Sequence, residues 1–77
     1  MAIGYVLINT APTKERSVYG ELCHVKEIVE LHPLVGDFDM IAKVEAPDLD
    51  RLGQIVIDKI RSVPGVINTE TSLVTML

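Results

Sequence analysis

Residues 26–45 read KEIVELHPLVGDFDMIAKVE, and this stretch decides the fold. Apolar and β-branched residues dominate from Lys26 to Val35 and again from Phe38 to Glu45, and Gly36-Asp37 breaks the run between them. That pattern predicts two strands joined by a tight hairpin. Pro33 lies inside the first of these strands, where it removes a ladder hydrogen bond, so that strand belongs at the edge of a sheet. In the second, Phe38, Met40, Ala42 and Val44 suit a helix-covered face, and Asp39, Ile41 and Lys43 point the other way.

Working outward, Ala2 to Thr10 reads as a strand that ends in the turn Ala11-Pro12-Thr13. Thr13 offers an N-cap, Glu15 suits a first helical turn, and Val18, Leu22 and Val25 recur at helical spacing, which predicts a helix from Lys14 to His24. Pro47 and the N-cap candidate Asp48 open a second helix carrying Leu52, Ile55, Val56, Ile60 and Val63, until Pro64-Gly65 stops it. Val66 to Met76 supplies a fourth strand. The order βαββαβ is the split βαβ arrangement called ferredoxin-like, an α+β class. Its antiparallel sheet has the strand order 4-1-3-2, with both helices on one face and the Pro33 strand at an edge. In the first strand Ile3, Tyr5 and Leu7 alternate with Ala2, Val6 and Ile8, so both faces are apolar. Two helices cover only one of them, and the other is expected to meet a second subunit.

Composition supports association and narrows the partners. The 77 residues are read as one domain, 1–77, and 48% are hydrophobic with a mean hydropathy of +0.33. A domain this small buries only roughly 60% of its unfolded surface, so oligomerisation is expected. Seven Lys and Arg stand against 11 Asp and Glu, a net charge of −4. The basic residues are scattered among acids rather than clustered to meet phosphates, so the chain alone is not expected to bind nucleic acid. The longest apolar run, Tyr5 to Ile8, is far short of the ~18 residues of a membrane span. With no basic, apolar leader pattern before the first strand, the expected location is the cytoplasm. The single Cys23 excludes an internal disulfide.

Few residues invite chemistry. Cys23 and His24 diverge by about 100° around a helix, and Glu30 adds only one ligand to His32, so neither group builds a metal site. Asp37 is a turn former. Asp39 opens a strand where a short acidic side chain has no packing value; its simplest role is to accept hairpin backbone N–H groups. Thr69 and Thr71 share a strand face with Ile67 and Leu73, where hydroxyls either line a pocket or bond across strands. There is no Gly-rich phosphate loop or nucleophile elbow, and aromatic residues make up only 4%, too few for a base-stacking sheet. Neither a cofactor nor an enzymatic role is expected.

Gly36-Asp37-Phe38-Asp39 after a Val-rich strand, then Ile60-Arg61-Ser62-Val63-Pro64-Gly65-Val66 and Thr69-Glu70-Thr71, together resemble the effector-binding (RAM) domain of Lrp/AsnC, or feast/famine, transcription regulators. The resemblance covers essentially the whole chain. It implies a homodimer formed sheet against sheet, further assembly of dimers into a ring, and an amino-acid effector bound between subunits near the hairpin. Carried over by position, Gly36 and Asp39 match the family's hairpin motif and Thr69 and Thr71 its ligand-side strand, with Leu34 adding backbone and apolar contact. Regulators of this family carry a helix-turn-helix domain ahead of this module. Nothing precedes the first strand here, so the resemblance implies a stand-alone sensor that modulates full-length relatives by mixed assembly. The alternative is a small dimeric ferredoxin-like enzyme, similar to cofactor-free monooxygenases of the α/β barrel type. Met40, Ala42 and Val44 on the helix-facing side, and the absence of Trp, argue against the polar cavity such enzymes use.

Overall fold

The computed structural model describes residues 1–76. Strand β1 spans Ala2–Thr10, helix α1 Glu15–Leu22, β2 Ile28–Pro33, β3 Met40–Ala46, helix α2 Leu49–Ile55 and β4 Val66–Leu73. Beyond Ile55, α2 widens into a π-helical turn, Val56–Ile60. The sheet is antiparallel in the order β2-β3-β1-β4, the expected 4-1-3-2 arrangement. Pro33 ends β2, an edge strand, opposite Met40.

The structure shortens three expected elements, with α1 ending at Leu22 rather than His24, β3 beginning at Met40 rather than Phe38 and β4 ending at Leu73 rather than Met76, and local chemistry accounts for the other boundaries. Asp48 caps α2 as expected, its carboxylate accepting the Arg51 N–H at 2.8 Å. Thr13 is not the cap of α1: Lys14 holds that position without a side-chain bond. Thr13 has φ +70° in a turn closed by Lys14 N–H to the Ala11 carbonyl at 3.0 Å. With Pro12 leading it, this is the pattern of a type II turn, which demands a positive φ at its third residue. The hairpin is also wider than a two-residue turn. Leu34–Asp39 connects β2 to β3 and is closed by Leu34 N–H to the Asp39 carbonyl at 2.8 Å. Finally β2 begins only at Ile28, because Val25 and Ile28 still donate back to Leu22 and Val25 in successive turns.

Register separates the two faces of the sheet. Val6 and Ile8 of β1 and Met40, Ala42 and Val44 of β3 are buried with Val18 and Leu22 of α1 and Leu52, Ile55, Val56 and Ile60 of the second helix. Each of these Val, Leu, Ile and Met side chains contributes about 1.5–3 kcal/mol. Gly4 lets α2 approach: a Cβ there would stand 3.2 Å from Leu52 Cδ2. Gly65, at φ +101°, would bring a Cβ to 3.0 Å from Lys14 and Val18, and its carbonyl accepts the Ala11 N–H at 2.7 Å. The turn before β4 is thereby fastened to the start of α1. Lys59 donates to both Glu27 carboxylate oxygens at 3.0 and 2.9 Å, tying the π-helical turn to the segment before β2.

The opposite face carries Ile3, Tyr5 and Leu7 beside Ile41, with no helix over them. Around this apolar centre lie Glu30, His32 and Lys43; Glu30 contacts His32 at 3.2 Å and Lys43 at 3.8 Å. Leu7, not Val6, is therefore the outward residue of β1.

Candidate functional site

Two places at one end of the sheet carry the residues singled out by sequence. The first is the β2–β3 hairpin. Gly36 has φ +150°, a conformation that favours glycine, and no atom lies within 4 Å of a Cβ added there. Its requirement is conformational rather than one of close approach within the chain. Leu34 and the fully exposed Val35 stand beside it. Asp39 is turned back into the fold. Its Oδ2 accepts the Thr10 N–H at 2.7 Å and the Thr10 Oγ1–H at 3.2 Å, and its own N–H donates to the Ile8 carbonyl at 2.9 Å. Thr10 is a buried polar residue at the end of β1, so Asp39 satisfies donors that would otherwise be costly. The carboxylate thus accepts a backbone N–H, and the donor comes from β1, which runs past the base of the hairpin.

The second place is the outer edge of β4. Thr69 and Thr71 pair with Ile8 and Val6, so their side chains lie on the helix-covered face, together with Leu73 opposite Gly4. Thr71 Cγ2 would lie 3.5 Å from a Cβ at Gly4, which confirms that orientation. Val74 N–H donates to the Ile3 carbonyl at 2.9 Å. In an antiparallel ladder bonded and non-bonded pairs alternate. The backbone N–H and C=O groups of Leu73, Thr71 and Thr69 therefore point away from β1, toward the free edge.

Hollows open on both sides of these threonines. One, of about 320 Å³, lies between α2 and β4 and is lined by Leu49, Leu52, Gly53, Val56, Thr71 and Leu73. The other, of about 280 Å³, is lined by Arg61 and by Val66, Ile67, Asn68 and Thr69. Register jumps from Asn9 opposite Asn68 to Thr10 opposite Val66, which leaves Ile67 bulged out of the ladder there. Arg61 follows the π-helical turn, its N–H donating to the Val56 carbonyl at 2.8 Å. None of the three ion pairs among the described residues uses its guanidinium.

Within one chain the two places do not merge. Met40, Ile8 and Thr69 sit side by side on three neighbouring strands, so the hairpin base and Thr69 are two strand spacings apart, roughly 10 Å. Thr71 lies further along by roughly 7 Å. Leu34, Gly36 and Asp39 form one group and Thr69 and Thr71 another. Arg61 and the α2 wall were not legible as site residues, because Arg61 reads as one scattered base and α2 as a regular core helix. Among the described residues no three His, Cys, Asp or Glu side chains are grouped as a metal ion would need, and His24 Nδ1 donates to the Gly20 carbonyl at 2.8 Å. No helix is long and apolar enough to cross a membrane.

Comparison with known proteins gives one family. The model of the Lrp/AsnC ligand binding domain matches residues 4–76. An uncharacterised HTH-type transcriptional regulator of Pyrococcus horikoshii is 34% identical over 70 residues, covering 87% of this chain and 47% of the relative. The chain spans about half the length of most curated relatives it matches. A segment of the homocitrate synthase of Sulfurisphaera tokodaii is 48% identical over 66 residues, covering 86% of this chain and 13% of that enzyme. The crystal structure of FFRP-DM1 superposes with a TM-score of 0.92 at 35% identity, covering 97% of this chain and all of that one.

Proposed function

The chain belongs to the Lrp/AsnC ligand-binding domain family, and from that premise we propose that it is a non-enzymatic sensor of a free amino acid, formed by residues 1–77 as a single ligand-binding domain. The observation that carries this reading is the free edge of β4. There the Thr69 and Thr71 backbone N–H groups offer donors to a carboxylate, their carbonyls offer acceptors to an ammonium, and the two hydroxyl side chains lie on the adjoining helix-covered face. A zwitterion needs that mixture. Because the hairpin lies roughly 10 Å away across β1, Leu34, Gly36 and Asp39 join the site only from a neighbouring copy. In that arrangement Asp39 Oδ2 holds the hairpin through Thr10, and Oδ1 is the oxygen left for the ligand ammonium.

The neighbour comes from association. The Ile3, Tyr5, Leu7 and Ile41 face forms the dimer, and dimers assemble further so that a hairpin meets a β4 edge. Working in the cytoplasm, the domain passes its effector signal to a full-length regulator by mixed assembly and does not bind DNA by itself. Thermal-shift measurements with the common amino acids test the sensor, since a ligand of the native state raises the melting temperature. No stabilisation by any of them refutes it. Leu7→Asp places an unpaired charge on the dimer face and is expected to raise the dimer dissociation constant by at least about a hundredfold. Light scattering that shows a wild-type monomer at micromolar concentration refutes the assembly.

The homocitrate synthase similarity favours a second reading, in which the module reports its effector to an enzyme rather than to a DNA-binding domain. Size-exclusion chromatography of the protein mixed with a full-length HTH-type relative, or with such an enzyme, separates the two by which complex forms.

A further inference from the structure

The two edges of the sheet are built differently. At the β2 edge Pro33 lacks an N–H, a register shift between Ile28 and Glu30 bends the strand, and Glu30 and His32 stand along it. Such devices keep an edge from taking another strand. The β4 edge lacks them over residues 68–73: it holds no proline or lysine, and its register with β1 is regular once past the bulge at Ile67. Thr69, Thr71 and Leu73 each turn an N–H and a C=O outward, in the alternation of an antiparallel ladder.

The flanks define the strand that would complete this edge. On the helix-covered side Leu49 and Leu73 are half-exposed, and the hollow beside them is walled by α2, where nothing lies within 4 Å of a Cβ added to Gly53. On the other side stands Glu70, the one charged residue of β4, which joins no ion pair among the described residues. A strand laid antiparallel beside β4 puts every second side chain against Leu49, Thr71 and Leu73, and those between beside Glu70. We propose that the β4 edge takes an extended segment of a partner protein as a fifth strand, with aliphatic residues in the α2–β4 hollow and basic residues beside Glu70, and that the amino acid competes with it for the same backbone groups. The competition rests on the amino-acid reading above; the strand addition does not. A second copy of the chain fits less well, because its own β4 brings mostly threonine to the hollow and no cation to Glu70.

A capped heptapeptide of alternating valine and lysine, titrated into the full chain, is the probe. Amide exchange at Thr69, Thr71 and Leu73, fast in the protein alone, is expected to slow at least about tenfold when the peptide binds. N-methylation of the valines, whose N–H groups face β4, is expected to weaken binding at least about tenfold, and methylation of the lysines, which keeps every charge, much less. Glu70→Lys is expected to weaken the lysine peptide about two- to fivefold and to favour a valine–glutamate peptide instead. Thr71→Pro removes an outward N–H that makes no bond to β1, and is expected to abolish peptide binding with the fold retained. Binding that valine methylation does not weaken, or exchange that the peptide does not slow, overturns the strand. Amides already slow without peptide would give the edge to a second copy of the chain and overturn it equally. Peptide affinity unchanged by an amino acid that itself binds overturns the competition alone. If no common amino acid binds, the amino-acid reading fails, and the peptide titrations still decide the strand.

Discussion

At the β2–β3 hairpin the polar groups answer one another within the chain: Asp39 takes both Thr10 donors, and Leu34 closes on the Asp39 carbonyl. At the outer edge of β4, Thr69 and Thr71 turn their backbone groups outward, and Thr69 shares a hollow with Arg61, which joins no ion pair among the described residues. Both regions attract notice in the sequence for the same reason, a polar residue where packing gives it no purpose. The structure distinguishes them by what their polar atoms already do. A group satisfied inside the fold supports the site, whereas an exposed and unanswered one is available to a ligand.

The largest stability effect is expected at the answered carboxylate. Asp39→Ala leaves the Thr10 N–H buried without its acceptor, a loss of about 1–3 kcal/mol, read as a lowered urea midpoint. Asp39→Asn keeps an acceptor oxygen and separates the two roles proposed for this residue. Near-normal stability with weakened ligand binding would assign a charge-dependent contact to Oδ1. Full recovery of both would leave Asp39 as a hairpin clasp alone. Gly36→Val comes next. Its φ of +150° is closed to a β-branched residue, so a cost of about 1–3 kcal/mol is expected, confined to the hairpin and visible as faster local amide exchange at Leu34.

The difference between the two regions also explains what the sequence could show. Strand order followed from the element order βαββαβ, and the edge position of Pro33 agrees with its missing N–H, because both depend on the course of the chain's own backbone. The helix-covered side of β3 followed from its period of two. Thr13 misled, because a threonine before an acidic residue looks like a cap until Pro12 claims it for a turn. The π-helical turn had no signal, since Val56 to Ile60 keeps helical apolar spacing whichever carbonyl each N–H selects. Asp39 and the two threonines were visible as unusual residues. Their partners were not, because Thr10 is remote in sequence, as is the α2 wall that faces Thr71.

A smaller effect is expected at the Lys59–Glu27 pair, which belongs to neither region and serves as an internal reference. The hydrogen bond from Lys59 is the main cause that holds the Glu27 carboxyl below its ordinary value. A carboxyl depressed in the folded state stabilises the protein above its unfolded pKa, and that contribution fades as pH falls through the folded one. The window therefore opens below about 4.3, the ordinary glutamate value. With Lys59 partly exposed, the pair contributes no more than about 1 kcal/mol. Lys59→Met should flatten the acid limb of the stability profile slightly while leaving ligand affinity unchanged.

The smallest stability effect is expected at Thr71, and it tests the comparison most directly. Its side chain is exposed, so Thr71→Val removes a hydroxyl without burying an unanswered partner, and β-branching is retained in the strand. Stability should change by less than about 0.5 kcal/mol. If the β4 edge is the ligand's own, the same substitution removes one hydrogen bond to the bound amino acid and weakens binding by about three- to tenfold. Paired urea and calorimetric titrations of Thr71→Val and Asp39→Ala then give opposite profiles, one losing affinity at constant stability and the other losing stability first. A Thr71→Val protein that binds like wild type removes its hydroxyl from the site. A strongly destabilised one would mean that the β4 edge, like the hairpin, uses its polar groups to hold the fold.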